Sequence, residues 1–318
     1  MADVLITRAF YPTSMARLEQ AHTVHRLYEA ADRAAFLREV GPRIVAVIGS
    51  SGADAALIEA LPKLRVIASV AVGYDNIDVA AATARGIIVT NTPEVLTDST
   101  ADLALALILA TERRIAAADA FVRRGDWTRG AFPFARHLRG LRLGILGLGR
   151  IGLAIAHRAE AFGMQIAYSN RRPRTDAAYP YHPDALRLAA ASDILLLAIP
   201  GGAGTRHLIT EEVLRALGPT GTLVNIARGS VVDEAALVRC LLDGSLGAAA
   251  LDVFDREPEV PPELLTLDQV VLTPHIGSAT HATREAMGDL AVRNVVAVLA
   301  GQPPVTPVAE SMGLTSDA

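Results

Sequence analysis

Short apolar runs recur along the chain and alternate with longer helix-like stretches, which is the pattern of strand–helix–strand units in a parallel sheet. The first series of predicted strands comprises Val4–Thr7, Ile44–Ile48, Val66–Val70 and Ile87–Thr90. The second series comprises Leu143–Leu146, Ile166–Ser169, Ile194–Ile199, Thr222–Ile226, Ala248–Phe254 and Val270–Thr273. The pattern therefore predicts an α/β protein with two doubly wound parallel sheets.

A helix separates the two series of strands. The segment Ser99–Arg114 is too long and too rich in Ala and Leu for a strand, and Thr97–Ser99 supplies possible N-caps. The helix-like segment Thr283–Leu299 could return to the first unit. We therefore expect one domain from residues 1–98 plus 286–318 and a second from residues 99–285, with a ligand cleft between them.

Composition and charge narrow the class of protein. Hydrophobic residues make up 51% and charged residues 20%, which favours a well-packed soluble fold. The net charge of -4 without a large basic block argues against nucleic acid as a partner. The single cysteine, the scattered histidines and the short apolar runs predict no disulfide, no metal site and no membrane span. With an N-terminus unlike a signal peptide, these features favour the cytoplasm.

The strongest local motif is the segment "LRLGILGLGRIGLAIAHRAEAFG", in which a buried strand runs into a glycine-rich turn and then a helix. Gly147, Gly149 and Gly152 form G-x-G-x-x-G. They allow, in order, a tight turn, close approach of the backbone to a pyrophosphate, and close packing of helix on strand. The helix N-terminus presents N–H groups to the phosphates. This succession predicts dinucleotide binding.

The next strand ends where an NAD-binding chain usually carries an acid for the ribose hydroxyls. Here the sequence has Asn170, Arg171 and Arg172. A carboxylate would repel a 2′-phosphate, whereas a guanidinium binds phosphate through two hydrogen bonds. The alternative is an ordinary solvated turn. We predict that NADP(H) is preferred and NAD(H) is bound more weakly, by roughly ten- to a hundred-fold.

Candidate catalytic residues follow three strands of the second series. Arg228 lies past one strand, Asp252 ends the next with Glu257 in the loop after it, and His275 follows a third. Carboxyl ends of parallel strands share one edge of the sheet, where ligands bind. Each residue alone is ambiguous, since an isolated His, Arg or Glu is usually structural, but their coincidence at one edge favours a catalytic site.

With these motifs in view, the chain resembles the D-isomer-specific 2-hydroxyacid dehydrogenases over almost its whole length. The matching segments are "VGYDNID", "GLGRIG", "NIARGSVVDE", "LDVFDREP" and "TPHIGSAT". "SNRRPR" and "GLAIAHRAEAFG" point, less firmly, to the branch of glyoxylate/hydroxypyruvate and hydroxyphenylpyruvate reductases. The resemblance implies a Rossmann-type cofactor domain, a flavodoxin-like substrate domain and a homodimer.

The resemblance also implies residue roles. His275 would be the general acid, and Glu257 would hydrogen-bond it, favour the imidazolium and orient the ring. Arg228 would hold the substrate carboxylate, together with the backbone N–H groups of Val72 and Gly73. The residues implied at the cofactor are Thr100, Gly147, Gly149, Arg150, Ile151, Gly152, Asn170, Arg171, Arg172, Pro200, Thr205, Ile226, Ala227, Arg228, Asp252, His275 and Gly277.

Three functions stay open at this stage. The first is an NADPH-dependent reductase of a small 2-oxo acid, with hydroxypyruvate, then glyoxylate, then aryl pyruvates as substrates in order of preference. The second is a non-catalytic dinucleotide sensor, which the presence of Arg228, Glu257 and His275 disfavours. The third is a related dehydrogenase acting on phosphoglycerate, formate or phosphite.

Overall fold

The computed structural model describes residues 1–314, which divide into two compact units. One unit combines Met1–Leu96 with the chain from Ser278 onward, and the other is the continuous segment Thr97–Gly277. The divisions thus fall after residues 96 and 277, where the sequence had suggested 98 and 285. Each unit is an α/β layer structure around a parallel sheet.

The strands are β1 Asp3–Ile6, β2 Thr23–Arg26, β3 Ile44–Gly49, β4 Val66–Ser69, β5 Ile88–Thr90, β6 Arg142–Leu146, β7 Gln165–Ser169, β8 Ile194–Leu197, β9 Thr222–Asn225, β10 Ala248–Leu251 and β11 Val270–Leu272. The α-helices are α1 Pro12–Ala21, α2 Arg33–Val40, α3 Ala55–Glu59, α4 Val79–Ala84, α5 Thr97–Glu112, α6 Ile115–Arg123, α7 Arg150–Ala161, α8 Ala185–Ala190, α9 Glu211–Leu217, α10 Glu234–Leu242 and α11 His281–Leu299. Short 3₁₀ turns cover Leu27–Glu29, Gly41–Arg43, Asp126–Thr128, Ala203–Thr205, Gly229–Val231, Leu264–Thr266 and Ala309–Ser311.

The first sheet has the order β2-β1-β3-β4-β5, with every pair of neighbouring strands parallel. This is the flavodoxin-like order of a doubly wound sheet. The edge strand β2 was not predicted, because its sequence TVHR contains a single aliphatic residue and is only partly buried. A short apolar run is the main sequence signal of a buried strand, and an edge strand of this kind lacks it.

The second sheet has the order β11-β10-β9-β8-β6-β7 and is also parallel throughout. Beyond β7, Tyr181 pairs with Tyr168 in an isolated parallel bridge. That bridge occupies the position of the third strand in the Rossmann order 3-2-1-4-5-6. The predicted α/β architecture with two parallel sheets is confirmed.

Alternate residues of the second sheet contribute to two separate hydrophobic clusters, because successive side chains of a strand point to opposite faces. Leu195 and Leu197 of β8 belong to the cluster formed with α8, α9 and α10. Ile194 and Leu196 of the same strand belong to the cluster formed with α5 and α7. Helices therefore cover both faces, and the carboxyl ends of the strands are left to present functional groups.

No helix within residues 1–314 combines the length and the apolar character that crossing a membrane requires.

Candidate active site

The turn after β6 has the shape that the glycine motif predicts. Gly147 has φ of 101°, a conformation that side chains with a Cβ rarely adopt, and its Cβ would lie 2.6 Å from the carbonyl oxygen of Ala198. A Cβ on Gly152 would lie 2.2 Å from the carbonyl oxygen of Gly147, so only glycine allows α7 to pack this closely. A Cβ on Gly149 would meet no atom within 4 Å.

The contrast between these glycines tests whether a dinucleotide fits here. Gly147 and Gly152 are required by the packing of the protein itself, whereas Gly149 faces open space. An exposed, unobstructed backbone at the N-terminus of α7, where Arg150 and Ile151 begin the helix, is what a pyrophosphate needs. The residues present therefore fit a dinucleotide.

Asn170 follows β7 and turns toward the glycine-rich segment. Its side-chain oxygen Oδ1 accepts a hydrogen bond of 2.7 Å from the backbone N–H of Leu148. Arg171 and Arg172 come next and are both exposed. An aspartate at this position could accept the same hydrogen bond from Leu148. Asn170 accepts it without placing a negative charge next to Arg171 and Arg172.

Asp252 anchors the loops that follow β10 and β11. It is 1% exposed, and its carboxylate accepts hydrogen bonds from Thr273 Oγ1 at 2.6 Å, Ile276 N at 2.8 Å and Gly277 N at 2.9 Å. A Cβ on Gly277 would lie 3.3 Å from Asp252 Oδ2 and 3.5 Å from Thr100 Cγ2, so Thr100, Asp252 and Gly277 lie side by side. The family resemblance implies that all three lie at the cofactor, and that assignment remains a prediction.

His275 is held by both its backbone and its ring. The backbone N–H donates to the carbonyl oxygen of Asp252 at 2.8 Å, and φ is 54°, a left-handed conformation unusual for histidine. Ring nitrogen Nδ1 lies 2.7 Å from Glu257 Oε2. Since Glu257 occupies Nδ1, nitrogen Nε2 is the one available to exchange a proton with a ligand.

The electrostatics of Glu257 agree with this pairing. Burial is the largest influence on this carboxyl group and raises its pKa. The hydrogen bond and charge of His275, the backbone N–H of Phe254 and the charge of Arg228 together outweigh burial and lower the pKa of Glu257. The carboxylate form is thus favoured, and the positive charge of Arg228 is one of the influences that lower the pKa of Glu257.

Arg228 lies in an extended conformation just before a 3₁₀ turn. Asn225 at the end of β9 fixes this segment: its Nδ2 donates to the carbonyl oxygen of Arg228 at 2.9 Å, and its Oδ1 accepts from the N–H of Ala227 at 3.0 Å. Ile226 lies between these contacts and is half-buried. Asn225 is a site-building residue that the sequence did not single out, because its role depends on its position at the end of the strand.

The loop after β8 contains the next two predicted cofactor residues. Thr205 Oγ1 donates a 2.8 Å hydrogen bond to the carbonyl oxygen of Pro200, which closes a turn through Gly202 with φ of 118°. Pro200 and Thr205 are therefore neighbours within one loop at the carboxyl end of β8. Their implied contact with the cofactor remains a prediction.

In the first unit, Val72 and Gly73 lie in the loop after β4. Asn91 steadies this loop, since its Nδ2 donates to the carbonyl oxygen of Val72 at 2.8 Å. Asn91 is itself bound to Thr306, whose Oγ1 donates to the Asn91 carbonyl oxygen at 2.7 Å. Asn294 of α11 completes the network with a 2.8 Å hydrogen bond to Thr306 Oγ1. Sequence reasoning missed Asn91, Asn294 and Thr306, which come from segments distant along the chain.

Taken together, the glycine-rich turn and the residues after β7, β8, β9, β10 and β11 lie at one edge of a Rossmann sheet and define a dinucleotide-dependent oxidoreductase. Residues 105–277 match the family model of the D-isomer specific 2-hydroxyacid dehydrogenase, NAD binding domain. The chain belongs to the D-isomer-specific 2-hydroxyacid dehydrogenase family.

Several members of this family are similar to the chain over almost its whole length. The chain is 49% identical over 293 residues to a hydroxyphenylpyruvate reductase of Plectranthus scutellarioides, covering 92% of this chain and 94% of that protein. It is 47% identical to a glyoxylate/hydroxypyruvate reductase A of Arabidopsis thaliana over the same shares. Among solved structures, an NADPH-dependent glyoxylate/hydroxypyruvate reductase of Sinorhizobium meliloti, in complex with NADP and malonate, has a TM-score of 0.93 and 44% identity, covering 98% of this chain and 97% of that chain.

Proposed function

We propose that this enzyme reduces a small 2-oxo acid, of the hydroxypyruvate or glyoxylate type, to the D-2-hydroxy acid with NADPH as the preferred cofactor. The observation that carries the proposal is the 2.7 Å contact between His275 Nδ1 and Glu257 Oε2, with Arg228 in the loop after β9, the strand next to β10. An acid, a residue that orients it and a cation for the substrate carboxylate are the groups that this reduction needs from a protein. The relatives named above as reductases of these substrates support the same choice.

Three side chains have distinct roles in the proposed reduction. A nicotinamide, when bound, would supply the hydride that this reduction needs. His275 donates the proton from Nε2 to the carbonyl oxygen, so that hydride and proton together convert the ketone to an alcohol. Glu257 holds the ring through Nδ1 and stabilises the imidazolium before the transfer. Arg228 binds the carboxylate of the substrate and polarises its ketone.

Further groups complete the proposal. The backbone N–H groups of Val72 and Gly73 bind the substrate carboxylate. At the cofactor, Gly149 with the N-terminus of α7 takes the pyrophosphate, and Arg171 and Arg172 take the 2′-phosphate. A homodimer in the cytoplasm remains our expectation for the assembly and the compartment.

Steady-state kinetics test the proposal directly. Oxidation of NADPH and of NADH would be followed separately with glyoxylate, hydroxypyruvate, pyruvate and 4-hydroxyphenylpyruvate. We expect turnover with NADPH, and we expect His275→Ala to lower kcat by about two to four orders of magnitude while cofactor affinity stays near normal. Cofactor binding without turnover on any of the four acids would instead support a dinucleotide sensor or a different substrate.

The cofactor preference has its own test. Replacing both Arg171 and Arg172 by alanine should weaken the binding of NADPH by roughly ten- to a hundred-fold and leave the binding of NADH almost unchanged. The reason is that only NADPH carries the 2′-phosphate that these guanidinium groups would bind. An equal loss for both cofactors would contradict the assignment of the arginines.

A further inference from the structure

The segment after β7 contains a third arginine, Arg174, whose surroundings differ from those of Arg171 and Arg172. The latter two are exposed, whereas the side chain of Arg174 is 27% exposed and three of the five N–H groups of its guanidinium donate hydrogen bonds within the protein. Nε and Nη2 form a forked ion pair with Asp176, at 2.8 Å to Oδ1 and 2.5 Å to Oδ2. Nη1 donates to the carbonyl oxygen of Leu148 at 2.8 Å.

The charge of Arg174 is therefore already balanced. The forked pair with Asp176 occupies the N–H groups of Nε and Nη2, which form one of the pairs of parallel donors through which a guanidinium can bind a phosphate. The same pair lowers the pKa of Asp176, chiefly through the hydrogen bond from Arg174, so Asp176 stays negative. A 2′-phosphate next to Arg174 would meet the carboxylate of Asp176 as well.

The remaining contact of Arg174 reaches the glycine-rich turn. Leu148 lies between Gly147 and Gly149, and both of its backbone polar groups are bound by side chains from the segment after β7. Its N–H donates to Asn170 Oδ1 at 2.7 Å and its carbonyl oxygen accepts from Arg174 Nη1 at 2.8 Å. The leucine side chain is 0% exposed. The glycines on either side of Leu148 would leave the backbone of the turn flexible, and the two hydrogen bonds to Leu148 restrict that flexibility.

The position of Arg174 is itself fixed. Its backbone N–H donates to the hydroxyl of Tyr168 at 2.8 Å, and Tyr168 is 1% exposed. The ring of Tyr168 packs against Tyr181 with centroids 5.5 Å apart. Residues 170–174 are thus tied at both ends, since Asn170 follows β7 and Arg174 binds Tyr168 of β7, and both side chains bind Leu148 of the glycine-rich turn.

We propose that Arg174 is a positioning residue that locks the glycine-rich turn to the phosphate-recognition segment, and that it does not bind the 2′-phosphate itself. The inference rests on the proposed function, since it presupposes that the turn takes the pyrophosphate and that Arg171 and Arg172 take the 2′-phosphate. The turn contacts a part of the cofactor that NADPH and NADH share. Loss of Arg174 therefore weakens the binding of both cofactors alike, while loss of Arg172 weakens the binding of NADPH selectively.

The test compares Arg174→Met with the matched control Arg172→Met, in which a neighbouring exposed arginine loses the same group. Dissociation constants for NADPH and NADH would be measured by calorimetric titration of the full chain. For Arg174→Met we expect both constants to rise by roughly ten-fold, with their ratio unchanged within about two-fold. For Arg172→Met we expect the NADPH constant to rise by roughly ten-fold and the NADH constant to stay the same.

Two further measurements separate positioning from a merely structural role. At saturating NADPH, kcat of Arg174→Met should stay near the unaltered value, whereas a protein that is partly unfolded would lose kcat and keep the cofactor affinity of its folded fraction. Hydrogen exchange of a peptide spanning Gly147–Gly149 should be faster in Arg174→Met without cofactor. Arg174→Lys keeps a donor for Leu148 and should restore part of the affinity for both cofactors.

If Arg174→Met lost affinity for NADPH alone, Arg174 would be a phosphate ligand and the inference would be overturned. Unchanged affinity for both cofactors would also overturn it. These results differ from a failure of the proposed function. In that case the unaltered enzyme itself would bind neither cofactor, or Arg172→Met would leave the preference for NADPH unchanged.

Discussion

Replacing Asp252 by asparagine removes one negative charge and turns one acceptor oxygen into a donor. The carboxylate accepts from Thr273 Oγ1 and Ile276 N at Oδ1 and from Gly277 N at Oδ2. If the asparagine oxygen takes the first position, its NH₂ group faces the N–H of Gly277. If it takes the second, the NH₂ group faces the N–H of Ile276. In either orientation one backbone N–H loses its acceptor.

The magnitude follows from burial. Asp252 is 1% exposed, so water cannot easily replace the lost acceptor. A buried unsatisfied donor costs about 1–3 kcal/mol, and a loss near 2 kcal/mol lowers Tm by roughly 4–8 °C in a unit of this size. Asp252→Ala leaves three donors without an acceptor and should cost about 3–5 kcal/mol. The order of stability is therefore unaltered protein, then asparagine, then alanine.

Thermal unfolding of the cofactor-free protein measures this order, and urea unfolding gives the free energies. Asp268→Asn is the control, because Asp268 is an exposed acid in the same unit and its replacement should change Tm by less than about 2 °C. Asp252→Asn should also lower kcat, since the carboxylate binds the backbone N–H of Ile276, the residue that follows His275. Equal Tm values for Asp252→Asn and Asp268→Asn would refute the view that this carboxylate holds the loop.

Two other predictions concern the glycines and the acid response. Gly149→Ala should leave the free energy of unfolding almost unchanged and weaken dinucleotide binding by roughly ten-fold or more, because its methyl group meets open space that a pyrophosphate needs. Gly152→Ala should instead cost about 1–3 kcal/mol of stability, seen in urea unfolding, and the reverse pattern would contradict this reading of the turn. Hydrogen bonds from the side chain and backbone of Ser245 and from Arg215 lower the pKa of Asp243 to about 2, so its contribution to stability is complete above its unfolded pKa near 4 and is lost as pH falls toward 2. The difference in urea midpoint between unaltered protein and Asp243→Asn should therefore be largest above about pH 5 and shrink toward pH 2, whereas a difference independent of pH would count against the argument.

The sequence predicted the central strands because they are continuous apolar runs, as in Ile194–Leu197, and these are buried on both faces. It gave positions for only a few helices and did not locate α1, α2 or β2, which lie between the first two predicted strands. The eight residues of α2 include three charged ones and bury only Val40, so its apolar pattern is weak. Elements with a clear pattern of apolar residues could thus be predicted from the sequence, whereas elements with a weak pattern could not.

The candidate site shows the same limit in chemical terms. His275, Glu257 and Arg228 could be named because their residue types and their positions after strands both point to chemistry. Arg171 and Arg172 were assigned to the 2′-phosphate, but the role of Arg174 could not be predicted, because it depends on the partner Asp176 and on the contact with Leu148. Contacts between backbone and side chain have no signature in residue type alone.

The order of the two units along the chain has a consequence for how the protein is made. The second unit is one continuous stretch, whereas the first needs α11, which packs against β3 and β4, and Val308, whose N–H donates to the carbonyl oxygen of Val89. A ribosome adds about 5–20 residues per second, so these parts emerge on the order of ten seconds or more after β5. Until then β3 and β4 lack the cover that α11 gives them. We therefore expect the nascent chain to pass through a stage in which the second unit has emerged while part of the apolar surface of the first unit is still exposed.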